Sequence, residues 1–439
     1  MGQRTAVNAK KRIVRIGADL PLLLVLLTLL VFGILMVYSA SWDFSLAVFG
    51  DPAHIFGRQL LWLTVGIAAA VFCAYFDYHR WQRLAVPGMM FTIVALVAVL
   101  LANEVILGAA RSLVEGSYQP SELAKLMIVI YLSVWLYSKR DYLNQVSFGL
   151  FPLAAILGLV GGLIFLQPDV SAVLTIVTLG GLLFFLAGGD MRQIIAVFVI
   201  TLVVGWAVVQ ASNTGRERID DYLQGVRNPI EASYHVRRSL EAFVKGGWFG
   251  KGIGKADTKL TGLPVPPTDS IYAVIGEETG VAGATVTLVL YGLFLWRGLE
   301  IARRAPDMLG ALLAGGLSIW ISMEAFINMA VMVGLMPFAG NALPFISAGG
   351  SNLVVSLVAT GIILNVSRLS EQGDRQRANK FEGVIDFQKR RAFQQVTSAQ
   401  ATRTLKPLGE PASKATTRPM ASNTNSRNRT RRSGTPRKD

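Results

Sequence analysis

The stretch from Leu20 to Ala40, LPLLLVLLTLLVFGILMVYSA, contains no charged residue and is long enough to cross a bilayer as a helix. A hydrocarbon core of about 30 Å needs about 20 apolar residues in helical conformation. The basic residues Lys10, Lys11, Arg12 and Arg15 precede the stretch, as they would in a signal peptide. The apolar region of a signal peptide is usually only about 7–15 residues long. We therefore interpret the stretch as a retained first membrane helix.

Nine further apolar windows of similar length follow the first. They lie near 58–76, 85–103, 122–138, 148–166, 170–188, 192–210, 271–296, 309–333 and 342–366. The fifth and sixth are separated because Pro168 and Asp169 interrupt an apolar stretch of about 40 residues, which is twice what one crossing needs. The sequence thus predicts an all-α polytopic membrane protein with about ten transmembrane helices in residues 20–368. A long extracytoplasmic loop, 211–270, is predicted between the seventh and eighth.

Composition agrees with a membrane location, since 52% of residues are hydrophobic, 16% are charged and the mean hydropathy is +0.47. The net charge of +14 would indicate nucleic-acid binding in a soluble protein. Here the surplus concentrates in a basic N-terminal arm, 1–19, and a basic tail, 369–439, so we predict no nucleic-acid partner. The tail is rich in Ser, Thr and Asn and is predicted to be largely disordered. The single cysteine, Cys73, excludes an intrachain disulfide.

The placement of Lys and Arg predicts the orientation of the helices. With ten helices, the N-terminal arm and the basic segments 77–83, 138–140, 192, 297–304 and 368 onward all fall on one side of the membrane. The alternate segments 42–57, 167–169 and 334–341 are nearly free of Lys and Arg. Cytoplasmic loops carry the basic excess, so both termini are predicted to be cytoplasmic.

Several charged residues lie at the predicted outer ends of helices, where ionisable groups are costly and usually functional. Asp269 stands at the start of the eighth span and has two interpretations, an N-cap or a functional carboxylate. Glu277 and Glu278 follow two turns later, where they need a cation or a cavity. Glu122 and Lys125 are three residues apart on one helix face, so they form either a simple ion pair or a cavity wall.

The long loop contains two further patterns. Residues 234–249 place apolar and basic residues at helical spacing, which predicts an amphipathic helix at the membrane surface. The glycine-rich run 246–254 either leaves backbone amides free for a phosphate or is plain loop structure. The three histidines at 54, 79 and 235 are scattered, so the sequence carries no metal signature, and no nucleotide-binding loop is present.

Six motifs, in order along about 350 residues, resemble those of the SEDS family (shape, elongation, division and sporulation), the group of FtsW and RodA. They are Met36-Val37-Tyr38-Ser39-Ala40-Ser41, Gln119-Pro120-Ser121-Glu122-Leu123-Ala124-Lys125, Gln167-Pro168-Asp169, Gly250-Lys251-Gly252-Ile253-Gly254, Thr268-Asp269-Ser270-Ile271-Tyr272 and Leu343-Pro344-Phe345-Ile346-Ser347-Ala348-Gly349-Gly350-Ser351. The chain departs from the family pattern at four places. Pro266-Pro267 replaces Ala-His before Thr268-Asp269, Ala348 replaces Tyr, Arg237-Arg238 replaces Gln-Ser, and 108–112 only partly matches Gly-Ala-Arg-Arg-Trp.

The resemblance implies a peptidoglycan glycosyltransferase that polymerises lipid II at the outer leaflet of the bacterial plasma membrane, at the division septum. Gly334-Leu335-Met336-Pro337 and the 343–347 motif look closer to FtsW than to RodA. Asp269 would be the general base that deprotonates the acceptor sugar hydroxyl. The other candidate substrate-binding residues are Glu122, Lys125, Gln167, Asp169, Arg218, Lys251, Lys259, Thr268, Glu277, Ser347, Gly349, Gly350 and Ser351.

The resemblance also implies partners. These are lipid II and the growing glycan linked to undecaprenyl pyrophosphate, a class B penicillin-binding protein acting as transpeptidase, and other divisome proteins. No cofactor is certain, although a divalent cation, Mg²⁺ or Mn²⁺, would suit the pyrophosphate. The apolar faces of the eighth and ninth spans, with small residues such as Gly310, Ala311, Ala314 and Gly315, are predicted to lie at the transpeptidase contact. The alternatives are a flippase for the same lipid, a RodA-type elongation polymerase, and a scaffold in which Asp269 is dispensable.

Overall fold

The computed structural model describes residues 19–105, 119–143, 145, 149–167, 169–211, 213–228 and 232–373. Within these ranges the chain forms helices joined by turns and irregular segments, and no strand is present. The predictions for the N-terminal arm, for 108–112 with Arg111, for Pro168 and for the tail beyond 373 lie outside the described residues. The all-α class predicted from the sequence is confirmed for the part of the chain that the structure describes.

Twelve α-helices lie within these ranges. They are α1 (Leu20–Phe49), α2 (His54–Tyr75), α3 (Trp81–Val105), α4 (Pro120–Ser138), α5 (Leu150–Phe165), α6 (Val170–Leu186), α7 (Met191–Ala211), α8 (Asn213–Arg227), α9 (Tyr234–Gly246), α10 (Ile271–Arg303), α11 (Met308–Met332) and α12 (Gly350–Gly373). Two 3-10 turns, Tyr78–Arg80 and Arg140–Tyr142, lie between them.

Each of the ten predicted apolar windows coincides with one helix. Among the described residues, seven helices (α1–α4 and α10–α12) are long and apolar enough to cross a membrane. The helices α5 and α6 are apolar but only 16 and 17 residues long, and the apolar part of α7 spans Ile195–Ala207. A helix of 16 residues reaches only about 24 Å, which is short of a bilayer core of about 30 Å. The polytopic character is therefore confirmed, whereas the count of ten crossings stays a prediction.

The core of the bundle lies around α4, α11 and α12. In the most apolar window of these three helices, 67%, 72% and 72% of the residues are buried inside the protein, against 11% for α2. The buried surface of α11 includes Trp320, which is fully enclosed. Apolar side chains on α2 and α7 remain exposed, as expected where a helix faces lipid. The helices that build the site described below are therefore the ones most completely packed.

One end of the bundle gathers the turns that the sequence predicts to be cytoplasmic. Arg297 at the end of α10 forms an ion pair of 2.5 Å with Asp19 at the start of α1. The backbone N–H of Tyr78 donates to Asn365 on α12 at 2.9 Å. His79 lies 2.8 Å from Asp307, which caps α11. The described parts of the basic segments, 77–83, 297–304 and 368–373, thus share one end, in agreement with the predicted alternation of charge.

The segment predicted as one long loop contains two helices. The amphipathic helix predicted at 234–249 is present as α9, which buries Val236 and Ala242. The other helix, α8, was not predicted, because its sequence is too polar to stand out as a membrane window. Its apolar residues Ile219, Tyr222, Leu223 and Val226 nevertheless follow the helical spacing that would have identified it.

The prediction that small residues of α11 form a partner surface is wrong. Gly310, Ala314 and Gly315 are buried within the protein. A side-chain carbon added at Gly315 would lie 3.3 Å from Leu186 of α6 and 3.5 Å from Ala302 of α10. These small residues let α11 pack closely against neighbouring helices of its own chain. Small side chains allow close helix approach, as predicted, but within the chain and not with a partner.

Candidate functional site

Four helices begin around one cavity of about 290 Å³ at the end of the bundle opposite the basic turns. The cavity wall contains Gln119 before α4, Asp169 before α6, Asp269 before α10, and Gly349 before α12. Each helix N-terminus carries a partial positive charge equivalent to about half an elementary charge. We call this the Asp269 cavity. Its wall is suited to an anionic group, because unpaired helical N–H groups are concentrated where helices begin.

Asp269 lies in the wall of this cavity and is not the residue that caps α10. The N-cap is Ser270, whose hydroxyl makes no capping bond and donates instead to the carbonyl of Pro264 at 2.7 Å. Gly340 approaches Asp269 so closely that an added side-chain carbon would lie 3.7 Å from Oδ2. The position of Asp269 therefore favours the functional interpretation of this carboxylate over the capping one.

A buried charge triad forms one side of the cavity. Lys125 Nζ lies 2.8 Å from Glu122 Oε1 and also contacts Glu324 of α11. The second oxygen of Glu122 accepts a hydrogen bond of 3.0 Å from Asn352. Glu122 and Lys125 form an ion pair and also line the cavity, so both interpretations of this pair apply. The structure adds Glu324, which the sequence placed only in a buried span.

Asp169 both caps α6 and contributes to the cavity wall. Its carboxylate accepts from the backbone N–H of Ala172 at 3.2 Å and from Ser121 Oγ at 3.3 Å, so it joins α4 to α6. Gln167, two residues earlier, points elsewhere and donates to the carbonyl of Leu96 on α3 at 2.9 Å. Of the predicted Gln-Pro-Asp turn, Asp169 thus lies in the cavity wall, whereas Gln167 connects to α3.

A second charged cluster forms beside α10, away from the Asp269 cavity. We call Lys251, Asp257, Lys259, Glu277 and Glu278 the α10 latch. Glu277 accepts from Lys251 Nζ at 2.9 Å, and Glu278 lies 3.2 Å from Lys259 Nζ. Both glutamates are fully buried, and the side chain of Lys259 is only 4% exposed. The hydrogen bond to Asp257, together with that to Glu277, raises the pKa of Lys251, while Lys251 lowers the pKa of Asp257.

Beside the latch, backbone hydrogen bonds from the glycine-rich run bridge a break in α10. Gly280 has φ +70°, a left-handed conformation that interrupts the helix and that glycine adopts without steric cost. The N–H groups of the next two residues, 281 and 282, donate to the carbonyls of 247 and 248 at 2.9 and 3.1 Å. In return, the N–H groups of 251 and 252 donate to the carbonyls of Glu277 and Glu278. The glycine-rich run therefore uses these amides to satisfy a broken helix, which leaves them unavailable to a phosphate in this conformation.

Arg218 lies at a third place, on α8. Its guanidinium stands 5.6 Å from the centre of the Phe338 ring, in the wall of a separate cavity of about 200 Å³. His235 stacks on the same ring, and burial together with the positive charge of Arg218 lowers the pKa of His235. Tyr222 donates to the carbonyl of Leu335 at 3.0 Å, so α8 is attached to the turn after α11.

The structure therefore divides the predicted site residues into two sets. Those in the wall of the Asp269 cavity are Glu122, Lys125, Asp169, Thr268, Asp269, Gly349, Gly350 and Ser351. Those outside it are Gln167, Arg218, Lys251, Lys259, Glu277 and Ser347. Sequence reasoning missed Asn341 and Asn352 in the wall and Gln59 behind it, although Asn341 and Gln59 are polar residues at the ends of predicted spans.

Known proteins resemble this chain over most of its length. The sequence model of the FtsW, RodA and SpoVE proteins, described as cell cycle proteins, matches residues 20–372. A protein of Trichlorobacter lovleyi named probable peptidoglycan glycosyltransferase FtsW is 36% identical, covering 80% of this chain and 93% of its own. Stage V sporulation protein E of Bacillus subtilis is 34% identical and covers 80% of this chain and 97% of its own.

Solved structures show the same fold. One described as "Structural coordination of polymerization and crosslinking by a peptidoglycan synthase complex" matches with a TM-score of 0.63 and 25% identity, covering 80% of this chain and 98% of that one. The rod shape determining protein RodA of Thermus thermophilus matches with a TM-score of 0.57 and 24% identity, covering 81% of this chain and 98% of that one.

Proposed function

Since this chain belongs to the FtsW, RodA and SpoVE family of cell cycle proteins, we propose that it is a peptidoglycan glycosyltransferase. Its reaction is the polymerisation of lipid II into glycan strands at the outer leaflet of the plasma membrane during cell division. The names of the relatives support this reaction class, because more than one of them is named probable peptidoglycan glycosyltransferase FtsW. An elongation role of the RodA type is the alternative within the family.

The observation that carries this proposal is the meeting of Asp269 with four helix N-termini at one cavity. A carboxylate can accept a proton, and helix N-termini attract phosphate groups. Together they provide what transfer of a sugar from a lipid pyrophosphate requires. A flippase would need polar residues along the whole membrane depth, whereas these residues gather at one end of the bundle.

In the proposed reaction, the hydroxyl of the acceptor sugar attacks the sugar carbon that carries the lipid pyrophosphate. A new carbon–oxygen bond forms, and the bond to the pyrophosphate breaks with its electron pair leaving on the phosphate oxygen. Asp269 takes the proton from the attacking hydroxyl. The four helix N-termini stabilise the charge that grows on the leaving group.

A divalent cation fits this site only as a partner of the pyrophosphate. Among the described residues, no group of three or more His, Cys, Asp or Glu side chains is arranged to hold a metal ion. Mg²⁺ commonly binds through one or two carboxylates plus substrate phosphates. Asp269 and Asp169 are carboxylates in the cavity wall that could bind such an ion, which would neutralise leaving-group charge there.

The same proposal includes location and partners. The chain lies in the bacterial plasma membrane at the septum with both termini cytoplasmic and the segment 211–270 outside, as the Lys and Arg distribution indicates. The partner is a class B penicillin-binding protein, since a structural relative is a peptidoglycan synthase complex that coordinates polymerisation and crosslinking. Because the small residues of α11 are buried, the predicted contact is confined to the eighth span, where Val286, Val289, Leu293 and Trp296 form an exposed apolar row on α10.

The experiment that tests the activity is a gel assay for glycan polymer with purified protein and lipid II in detergent micelles. Micelles have no leaflets, so a flippase gives no product there, whereas a polymerase forms a ladder of glycan chains. The assay is run with and without the class B partner. Absence of polymer in both arms, together with transfer of lipid II across vesicles containing the protein, would replace the polymerase proposal with the flippase.

A further inference from the structure

The segment that carries the proposed base, 267–269, is held by three hydrogen bonds that come from outside it. The carbonyl of its first residue accepts from the N–H of Ala348 at 2.7 Å. The carbonyl of its second residue accepts from Ser347 Oγ at 2.7 Å, and that of Asp269 accepts from Asn328 Nδ2 at 3.0 Å. Three consecutive carbonyl groups are thus each fixed by a donor from α11 or from the turn before α12.

This segment has little means of fixing its own backbone. Pro266 and Pro267 have no N–H group, so they cannot donate to a neighbouring chain or turn. Val265 has φ +43°, which is rare and unfavourable for a β-branched residue. Such a conformation persists only where the surroundings impose it, and it is often found beside functional residues. Local bonds, such as the one from the N–H of Thr268 to the carbonyl of Val265 at 3.2 Å, form a turn here, and the outside donors fix the three carbonyls that follow it.

Asn328 is itself firmly held. Its side chain is 2% exposed, and Nδ2 donates to the carbonyl of Asn341 as well as to that of Asp269. Because both contacts are carbonyl acceptors, the amide can face them only with its nitrogen. Asn328 therefore joins the two neighbouring segments, around 269 and 341, both of which contribute residues to the wall of the Asp269 cavity.

The turn that supplies the other two donors is fixed in the same way by α2. Gln59 is 5% exposed and contacts the turn on both sides of Ala348. Its Nε2 donates to the carbonyl of Ser347 at 3.3 Å, and its Oε1 accepts from the N–H of Gly349 at 3.2 Å. Ser347 Oγ also accepts from the N–H of Leu343 at 2.7 Å, which orients its hydroxyl hydrogen toward the 267–269 segment.

We propose that Asn328 and Ser347 are positioning residues that direct the Asp269 carboxylate into the cavity. This inference rests on the proposed glycosyltransferase function and adds the groups that place its base. Neither residue belongs to the cavity wall, so their loss should lower kcat and leave KM for lipid II nearly unchanged. A displacement of about 1 Å at a reacting group can cost on the order of 10²-fold in rate.

The first test is the pH profile of polymerisation by Asn328→Asp. The substitution keeps the shape but replaces the NH2 group, which donates to both carbonyls, with a single oxygen that repels them. The introduced side chain can donate only when its carboxylic acid is protonated, and it then restores one of the two hydrogen bonds. We expect kcat, relative to wild type at the same pH, to be lower on the order of 10- to 100-fold at high pH and to recover in part as the pH is lowered, with KM unchanged. A merely structural role would not make kcat depend on pH in this way.

The second test is a serine series, which also applies if Asn328→Asp does not fold. Ser347→Ala should lower kcat, and Ser347→Thr, which keeps the hydroxyl, should retain most of it. Ser356→Ala is the matched control, because Ser356 on α12 is equally buried and its hydroxyl has no partner among the described residues. Wild-type kcat and pH profile in folded Asn328→Asp and Ser347→Ala would overturn the inference. Absence of polymer from the wild-type protein would instead reject the proposed function.

Discussion

The Asp269 cavity and the α10 latch contain the same kinds of residue but differ in what their polar groups contact. In the cavity, Asp269 lies in the wall at the starts of four helices. In the latch, Lys259 Nζ contacts Ser39, the carbonyl of Gly254 and Glu278, and its side chain is almost fully enclosed. A cation surrounded by protein acceptors stabilises the fold, whereas a carboxylate facing a cavity is placed to react.

The largest expected effect on stability comes from removing one partner of a buried pair in the latch. Lys259→Met leaves the carboxylate of Glu278 buried without its cation, and such a loss costs about 3–5 kcal/mol. We expect a clearly lower melting temperature in detergent. The double variant Lys259→Met/Glu278→Gln removes the uncompensated charge and should recover most of the stability.

The same double variant distinguishes a structural role from the predicted phosphate-binding role of Lys259. If Lys259 acts only in the latch, polymerisation should return together with stability. Recovery of stability without polymer would place Lys259 among the substrate-binding residues. Lys255→Met serves as the control, because Lys255 is exposed in the same segment, and its substitution should change neither quantity.

A smaller effect is expected from the close backbone contact between the glycine-rich run and α10. A side-chain carbon at Gly250 would lie 2.2 Å from the carbonyl oxygen of Glu278, whereas one at Gly254 would meet nothing within 4 Å. Both glycines have positive φ, so both alanine variants share that strain. Gly250→Ala should therefore be less stable than Gly254→Ala by about 1–3 kcal/mol, measured by chemical unfolding. Equal stabilities would show that the run does not hold the break in α10.

The smallest effect is expected at an exposed ion pair on α9. Glu241 lies 2.8 Å from Lys245, and both side chains are about one-third exposed. Pairs of this kind contribute about 0.3–0.5 kcal/mol. The hydrogen bond from Lys245 lowers the pKa of Glu241, so the contribution is present above the unfolded pKa of about 4.3 and is lost as the pH falls through the folded value. Lys245→Gln removes only this pair, because Glu241 keeps its contact with Arg238, and should therefore differ slightly from wild type at pH 7 and not at pH 3. A difference as large as that of Lys259→Met would contradict the distinction between exposed and buried pairs.

Local sequence patterns predicted the elements and some of the cavity. The apolar windows gave the helices, and the spacing of Glu122 and Lys125 predicted a pair on one helix face. Asp269 was identified because it stands where a span begins. These features depend on residues that are close in the chain, and a period or a spacing can detect them.

Contacts between distant segments could not be predicted in this way. Lys251 and Glu277 are 26 residues apart, and Gln59 and Ser347 are 288 apart, so no helical or strand period relates them. The break at Gly280 lies inside an apolar window that looks continuous in sequence. For the same reason, the charged residues of the long loop could be assigned to the outer end of the bundle but not divided between the cavity and the latch.

The most direct test of the account measures stability and polymerisation on the same sample of Asp269→Asn. Asn keeps the shape but cannot take the proton from the acceptor hydroxyl. The account predicts a wild-type melting temperature with a rate of polymer formation lower by about 10²–10⁴. Near-wild-type polymer from purified Asp269→Asn would contradict the assignment of Asp269 as the base.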